Sequence, residues 1–198
     1  MIDKEKIPEG FPTHKHQADF WEHLGRTVAT FGSLENYLVK GIYVFLVMEK
    51  SDKKVNNSKD LQVFNDWYKE RNRVLLKDMT CSLSALVKKY ANLASCNSLI
   101  NKDDVTKELL DRLDKIVKYR NLLCHAAWGL PNKEGKSLAI YVNNDEEKSY
   151  LETPIDTEFL QQTQKHTAEL ICLVMCIITK LDPEGRSLPA MESEREGW

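Results

Sequence analysis

Drawn at about 100° per residue, Phe20, Leu24, Phe31, Leu34, Leu38, Ile42 and Phe45 fall on one side of a single rod. The stripe predicts a helix over 17–48, about eight turns long. A rod of that length cannot bury its apolar side alone, so the rest of the chain must supply long helical partners. Three follow. Residues 61–94 carry Phe64, Trp67, Tyr68, Val74, Leu75, Leu83, Leu86, Val87 and Tyr90 on an inner side. Residues 103–128 carry Leu109, Leu113, Ile116, Leu123 and Ala127, and residues 157–181 carry Phe159, Leu160, Leu170, Ile171, Val174, Ile177 and Ile178. The expected fold is all-α, an up-and-down bundle of four main helices forming one domain over 198 residues.

Punctuation between the stripes supports this division. Residues 1–16 mix proline, glycine and scattered charge and read as an irregular arm, in which His14, Lys15 and His16 are expected to be solvated rather than metal-binding. Glu49–Asp60 is a polar loop, and Ser95–Lys102 breaks the periodicity again. Asn101 or Asp103 can cap the third helix, and Asp156 or Thr157 opens the fourth. Gly25, Gly32, Ser33 and Gly41 weaken the first helix, which implies a close neighbour or a bend. Between helices three and four, Ser137–Val142 has strand bias, Asn143-Asn144-Asp145 signals a turn, and Ser149-Tyr150-Leu151 can return. A small β-hairpin inserted there is the expectation. Cys172 and Cys176 lie one turn apart in the fourth helix and are expected to pack in the core, and 182–198 reads as a loose tail.

A formal charge of −2 excludes a protein that holds nucleic acid by bulk electrostatics, so any RNA contact has to be local. Five cysteines, odd in number and irregularly spaced, fit free thiols in a reducing compartment, and a cytoplasmic location is expected. Met1–Gly10 is charged and lacks an apolar core, so no secretory leader is expected. The most apolar run, Leu170–Ile178, is too short to span a bilayer, and no membrane association is expected. P-loop, HExxH, GxGxxG and GxSxG patterns do not occur in the sequence. Neither a cofactor nor a metal is therefore expected.

One segment departs from scaffold logic. Arg120 falls near the middle of the third apolar stripe, where a guanidinium that cannot be neutralised needs a carboxylate, a polar interface or a bound anion. Asn121 and His125 are four residues apart and share an adjacent face. One helix end thus carries a permanent cation, an amide and a titratable imidazole. Arg112, Lys115 and Lys118 precede it on the outer side and can raise the local potential for phosphate. Glu35, at the edge of the first stripe, is a candidate partner for Arg120.

Arg120-Asn121-x-x-x-His125 resembles the R-polar-x-x-x-H signature of the HEPN superfamily, helical domains that include many metal-independent ribonucleases in toxin, anti-phage and RNA-processing systems. Phe31-Gly32-Ser33-Leu34-Glu35 is similar to the first helix of many such domains. The resemblance implies an endoribonuclease with Arg120, Asn121 and His125 as catalytic residues, Glu35 in support, and Lys115 and Lys118 contacting RNA. It also implies a homodimer with a composite site, a 2′,3′-cyclic phosphate and a 5′-hydroxyl as products, and an antitoxin or nucleotidyltransferase as the class of controlling partner. The alternative is a non-catalytic module in which Arg120 pairs with Glu35 and the same cleft holds nucleotide, RNA or a partner protein.

Overall fold

A computed structural model describes residues 15–51, 80–141 and 154–185, with positions 66, 69, 73 and 77 between them. Among the described residues run four helices, α1 (Ala18–Ser51), α2 (Leu83–Cys96), α3 (Asp104–His125) and α4 (Thr157–Leu181), with β1 (Ala127–Trp128) and β2 (Ala139–Ile140) between α3 and α4. The mostly helical fold and the small antiparallel hairpin between the third and fourth of these helices agree with the sequence. No helix among the described residues is long and apolar enough to cross a membrane. Contacts gather into two compact units, one drawn from 1–32 and 115–168, the other from 33–114 and 169–198.

The second unit draws its core from all four helices. Leu34, Leu38, Ile42 and Val44 of α1, Tyr90 and Ala94 of α2, Leu109 and Leu113 of α3, and Leu170 and Val174 of α4 are each fully buried. All but Val44 and Ala94 stand on the stripes read from sequence, and their burial is the main force holding the unit together. Gly41 is where the chain needs a glycine for space: a Cβ there would sit 2.6 Å from Cε2 of the Tyr90 ring. A Cβ at Gly25 or Gly32 would meet nothing within 4 Å among the described residues, so of the close neighbour or bend expected from these residues, a close neighbour is found at one of the three glycines. The Tyr90 ring packs edge-on to Phe45 at 5.2 Å. Its buried hydroxyl has no hydrogen-bond partner among the described residues, and burial pushes its pKa far up.

Two helix starts follow the expected chemistry. Asp103 caps α3 by accepting from Val105 N at 3.3 Å, and its other oxygen takes the Lys180 ammonium at 2.7 Å. Asp156 caps α4 by accepting from Phe159 N at 2.8 Å, and Lys136 lies 3.2 Å from the same carboxylate. These bonds answer backbone donors that the first turn leaves unpaired.

Other expectations change. The helix read over 61–94 does not continue through 80–82; Ser82 turns extended, accepts from Ala85 N, and starts α2 afresh. Phe64, Trp67, Tyr68, Val74 and Leu75 lie outside the described residues. α3 stops at His125 rather than Trp128, because Ala127 and Trp128 pair with Ile140 and Ala139. Ala127, expected on the buried helical stripe, is therefore an exposed strand residue. The hairpin partner of Ala139–Ile140 is this segment, whereas the return strand expected at 149–151 lies outside the described residues. Ser137 and Ile155 add a bridge with both bonds made, at 2.9 and 2.7 Å.

His16 is buried rather than solvated, stacked on Phe20 at 4.7 Å and edge-on to Trp21 at 5.1 Å, while His14 lies outside the described residues. An aromatic cluster completed by Trp128, 5.2 Å from Phe20, removes the imidazole from water. Cys172 and Cys176 are exposed, not core, because α4 buries Leu170, Val174, Ile177 and Ile178 on its opposite side. Of the tail, Asp182–Gly185 forms a turn with Gly185 at φ 65°, and 186–198 lie outside the described residues.

Candidate active site

The site is built at the C-terminal end of α3, within the first unit. Leu122 and Leu123 are 3% exposed and bind the last turn to the core, and Tyr119 packs edge-on against Phe159 of α4 at 5.6 Å. Ala126 N still reaches Leu122 O at 2.9 Å, after which the backbone turns directly into β1. Trp128 then packs on Phe20 and Trp21 of α1. The helix end is thereby held from both sides. A polar seam between α1 and α4 stiffens the same unit: fully buried Thr27 donates to His23 O at 2.7 Å, and Gln164 donates to His23 O at 3.1 Å and to Thr27 Oγ1 at 3.2 Å.

On this anchored end, Arg120 and Asn121 are half-buried and His125 is exposed. Arg120 Nη1 lies 3.0 Å from His125 Nε2 and 3.4 Å from Asn121 Oδ1. The three residues singled out by spacing are brought together around a single guanidinium nitrogen. A guanidinium offers only donors, so in this arrangement Nε2 is the acceptor and the ring proton sits on Nδ1. The bond spans five residues, one more than a helical turn, because the long arginine side chain reaches forward to the last helical residue.

The structure adds Tyr141, which sequence reading left in the hairpin without a role. Its ring is near-parallel to His125, with centroids 6.4 Å apart and planes 29° apart. β2 ends beside the helix terminus because it pairs with β1, so only a three-dimensional contact reveals this neighbour. The imidazole thus has a cation at its Nε2 edge and a phenol ring over its face.

The remaining candidates divide. Lys115 and Lys118 are exposed on the outer side of α3. Arg112 is not a free phosphate donor: it is bonded to Glu108 at 2.8 Å and to Glu169 at 2.6 Å, and these hydrogen bonds raise its pKa against the lowering effect of burial. Glu35 is half-buried on α1 and belongs to the second unit, whereas Arg120, Asn121 and His125 belong to the first.

No family model matches the chain, and no curated protein or solved structure matches it. The reading of the site therefore stands on its own geometry and on the motif.

Proposed function

We propose that the chain is an endoribonuclease of HEPN type, cleaving RNA by attack of a 2′-hydroxyl on the adjacent phosphorus. The observation that carries this reading is the 3.0 Å contact between the Arg120 guanidinium and an exposed His125 imidazole, with the Asn121 amide on the same nitrogen. Strand cleavage by this route needs a proton taken from the 2′-oxygen, stabilisation of a charged phosphorane, and a proton given to the 5′-oxygen. Arg120 can supply paired donors to two phosphate oxygens. The His125 imidazole has one ring nitrogen that can take up a proton and one that can give it.

In the resting arrangement Nε2 is occupied by the guanidinium. A scissile phosphate competing for Arg120 would draw that donor away and leave the Nε2 lone pair facing the substrate. The base is thus released by the phosphate whose neighbouring 2′-hydroxyl it is to deprotonate. Asn121, with donor and acceptor on one amide, keeps either the guanidinium or the phosphate in register. A second copy of the chain supplies the second imidazole, so that one acts as base while the other protonates the leaving oxygen, giving a 2′,3′-cyclic phosphate and a 5′-hydroxyl. Control by an antitoxin or a nucleotidyltransferase, and a role in toxicity or anti-phage defence, belong to the same proposal.

The deciding experiment incubates the purified chain with single-stranded RNA in excess EDTA. Cleavage to 2′,3′-cyclic phosphate ends is expected, and it should vanish in His125→Ala. Cleavage that stops on chelation sinks the mechanism. A chain that binds RNA without cutting it, and loses that binding in Arg120→Ala, replaces the nuclease by a binding module.

A further inference from the structure

The outer side of α4 carries three sulfur atoms and no role in the site described above. Cys172 and Cys176 are free and exposed, Met175 is 44% exposed, and with Thr179 and Lys180 they line a shallow hollow of about 600 Å³ within the second unit. On the helix the two cysteines are one turn apart, and Met175 lies one turn beyond Cys172 on its other flank. Three soft donors therefore face the same patch of solvent, on a helix whose opposite side is pinned by Leu170, Val174 and Ile177.

We propose that this patch is a binding site for a soft monovalent cation, Cu(I), held by the Cys172 and Cys176 thiolates with the Met175 thioether as third donor. Spacing decides between a metal and a disulfide. Cβ atoms at i and i+4 stand about 5–6 Å apart, beyond the ~3.5–4.5 Å that a disulfide requires. Two metal–sulfur bonds of about 2.3 Å each let the sulfurs stand ~4 Å apart, about twice the ~2.05 Å of a disulfide bond, which suits residues one turn apart.

Donor chemistry decides which metal. Thiolate and thioether select Cu(I), whereas zinc prefers four ligands from thiolate, imidazole and carboxylate. Among the described residues no group of three or more His, Cys, Asp or Glu side chains is placed to supply such a set. Binding is proton-coupled and redox-neutral: two thiols and one Cu(I) give a dithiolate complex of charge −1 and two released protons.

The test titrates the reduced, full-length chain anaerobically with Cu(I) against bicinchoninate as competing chelator. One retained equivalent is expected for the wild type and for the Cys81→Ser/Cys96→Ser/Cys124→Ser variant. Loss of that equivalent is expected for Cys172→Ser and for Cys176→Ser, whose exposed positions leave the fold intact by circular dichroism. Met175→Leu should weaken retention on the order of tenfold. No retention by the wild type, retention that survives the Cys172→Ser/Cys176→Ser double substitution, or preferential retention of Zn(II) each overturns the proposal.

Discussion

Arg112 and Arg120 stand two turns apart on α3 and are put to opposite uses. Arg112 is clamped by Glu108 from its own helix and Glu169 from α4, at 2.8 and 2.6 Å. Arg120 directs one nitrogen at an imidazole and an amide at the helix end. A carboxylate pair on a guanidinium satisfies charge and fixes two helices together. An imidazole on a guanidinium places a titratable atom where it can be exchanged for an anion. Under the proposed function, the comparison teaches that the partner, more than burial or sequence position, separates a structural arginine from a reactive one.

The sharpest way to break this contrast is at its reactive end. His125→Ala should lower RNA cleavage by about 10²–10⁴-fold with no change in melting temperature, since the side chain is exposed. A melting shift of several degrees with cleavage retained would make the Arg120 end structural as well. Next in size is a test of the scaffold alone. Gly41→Ala forces a methyl into the Tyr90 ring and should cost about 1–3 kcal/mol in denaturant unfolding, leaving the reactive end untouched.

Arg112→Met should destabilise by about 1 kcal/mol, with cleavage per folded molecule unchanged. Arg120→Met should do the reverse. If both substitutions act alike on activity, the division between the two arginines fails.

Acid should act on the two capping carboxylates. The pKa of Asp156 is lowered, chiefly by the Phe159 N–H and also by Lys136, and that of Asp103 is lowered, chiefly by its hydrogen bond from Lys180. Both are depressed in the folded state, so their stabilisation is full above the ordinary carboxylate range near 3.9 and is lost as pH falls through the folded values. Asp156→Asn should flatten the acid limb of a melting-temperature profile. Smallest of all, Tyr90→Phe removes a buried hydroxyl that has no partner among the described residues and should be neutral or stabilise by up to about 1 kcal/mol.

Much of the scaffold was legible because helical periodicity is local and repeats. Leu34, Leu38, Ile42, Leu109, Leu113 and Leu170 could be assigned to the interior from spacing alone, and Asp103 and Asp156 from their place before a stripe. What escaped was set by contacts distant in sequence. The break at 80–82 has neither glycine nor proline to mark it, only a serine that caps. The early end of α3 is imposed by strand pairing with residues 139–140, which overrides local helix preference. Cys172 and Cys176 look like core because small apolar residues usually are, but α4 already fills its inward side with larger ones. Of the candidate site, the trio at Arg120, Asn121 and His125 was visible as spacing, whereas Tyr141 and the capture of Arg112 by Glu169 needed the third dimension.

Only Ala126 separates the last helical residue from β1, so a change in the length of that link has two effects. Inserting one residue between His125 and Ala127 would slip the pairing of β1 and β2 by one residue, setting the now buried Ser137 and Ala139 and the now exposed Leu138 and Ile140 against the wrong faces and carrying Tyr141 off the imidazole. Point substitutions can vary this junction chemically, but its count of residues is fixed by geometry.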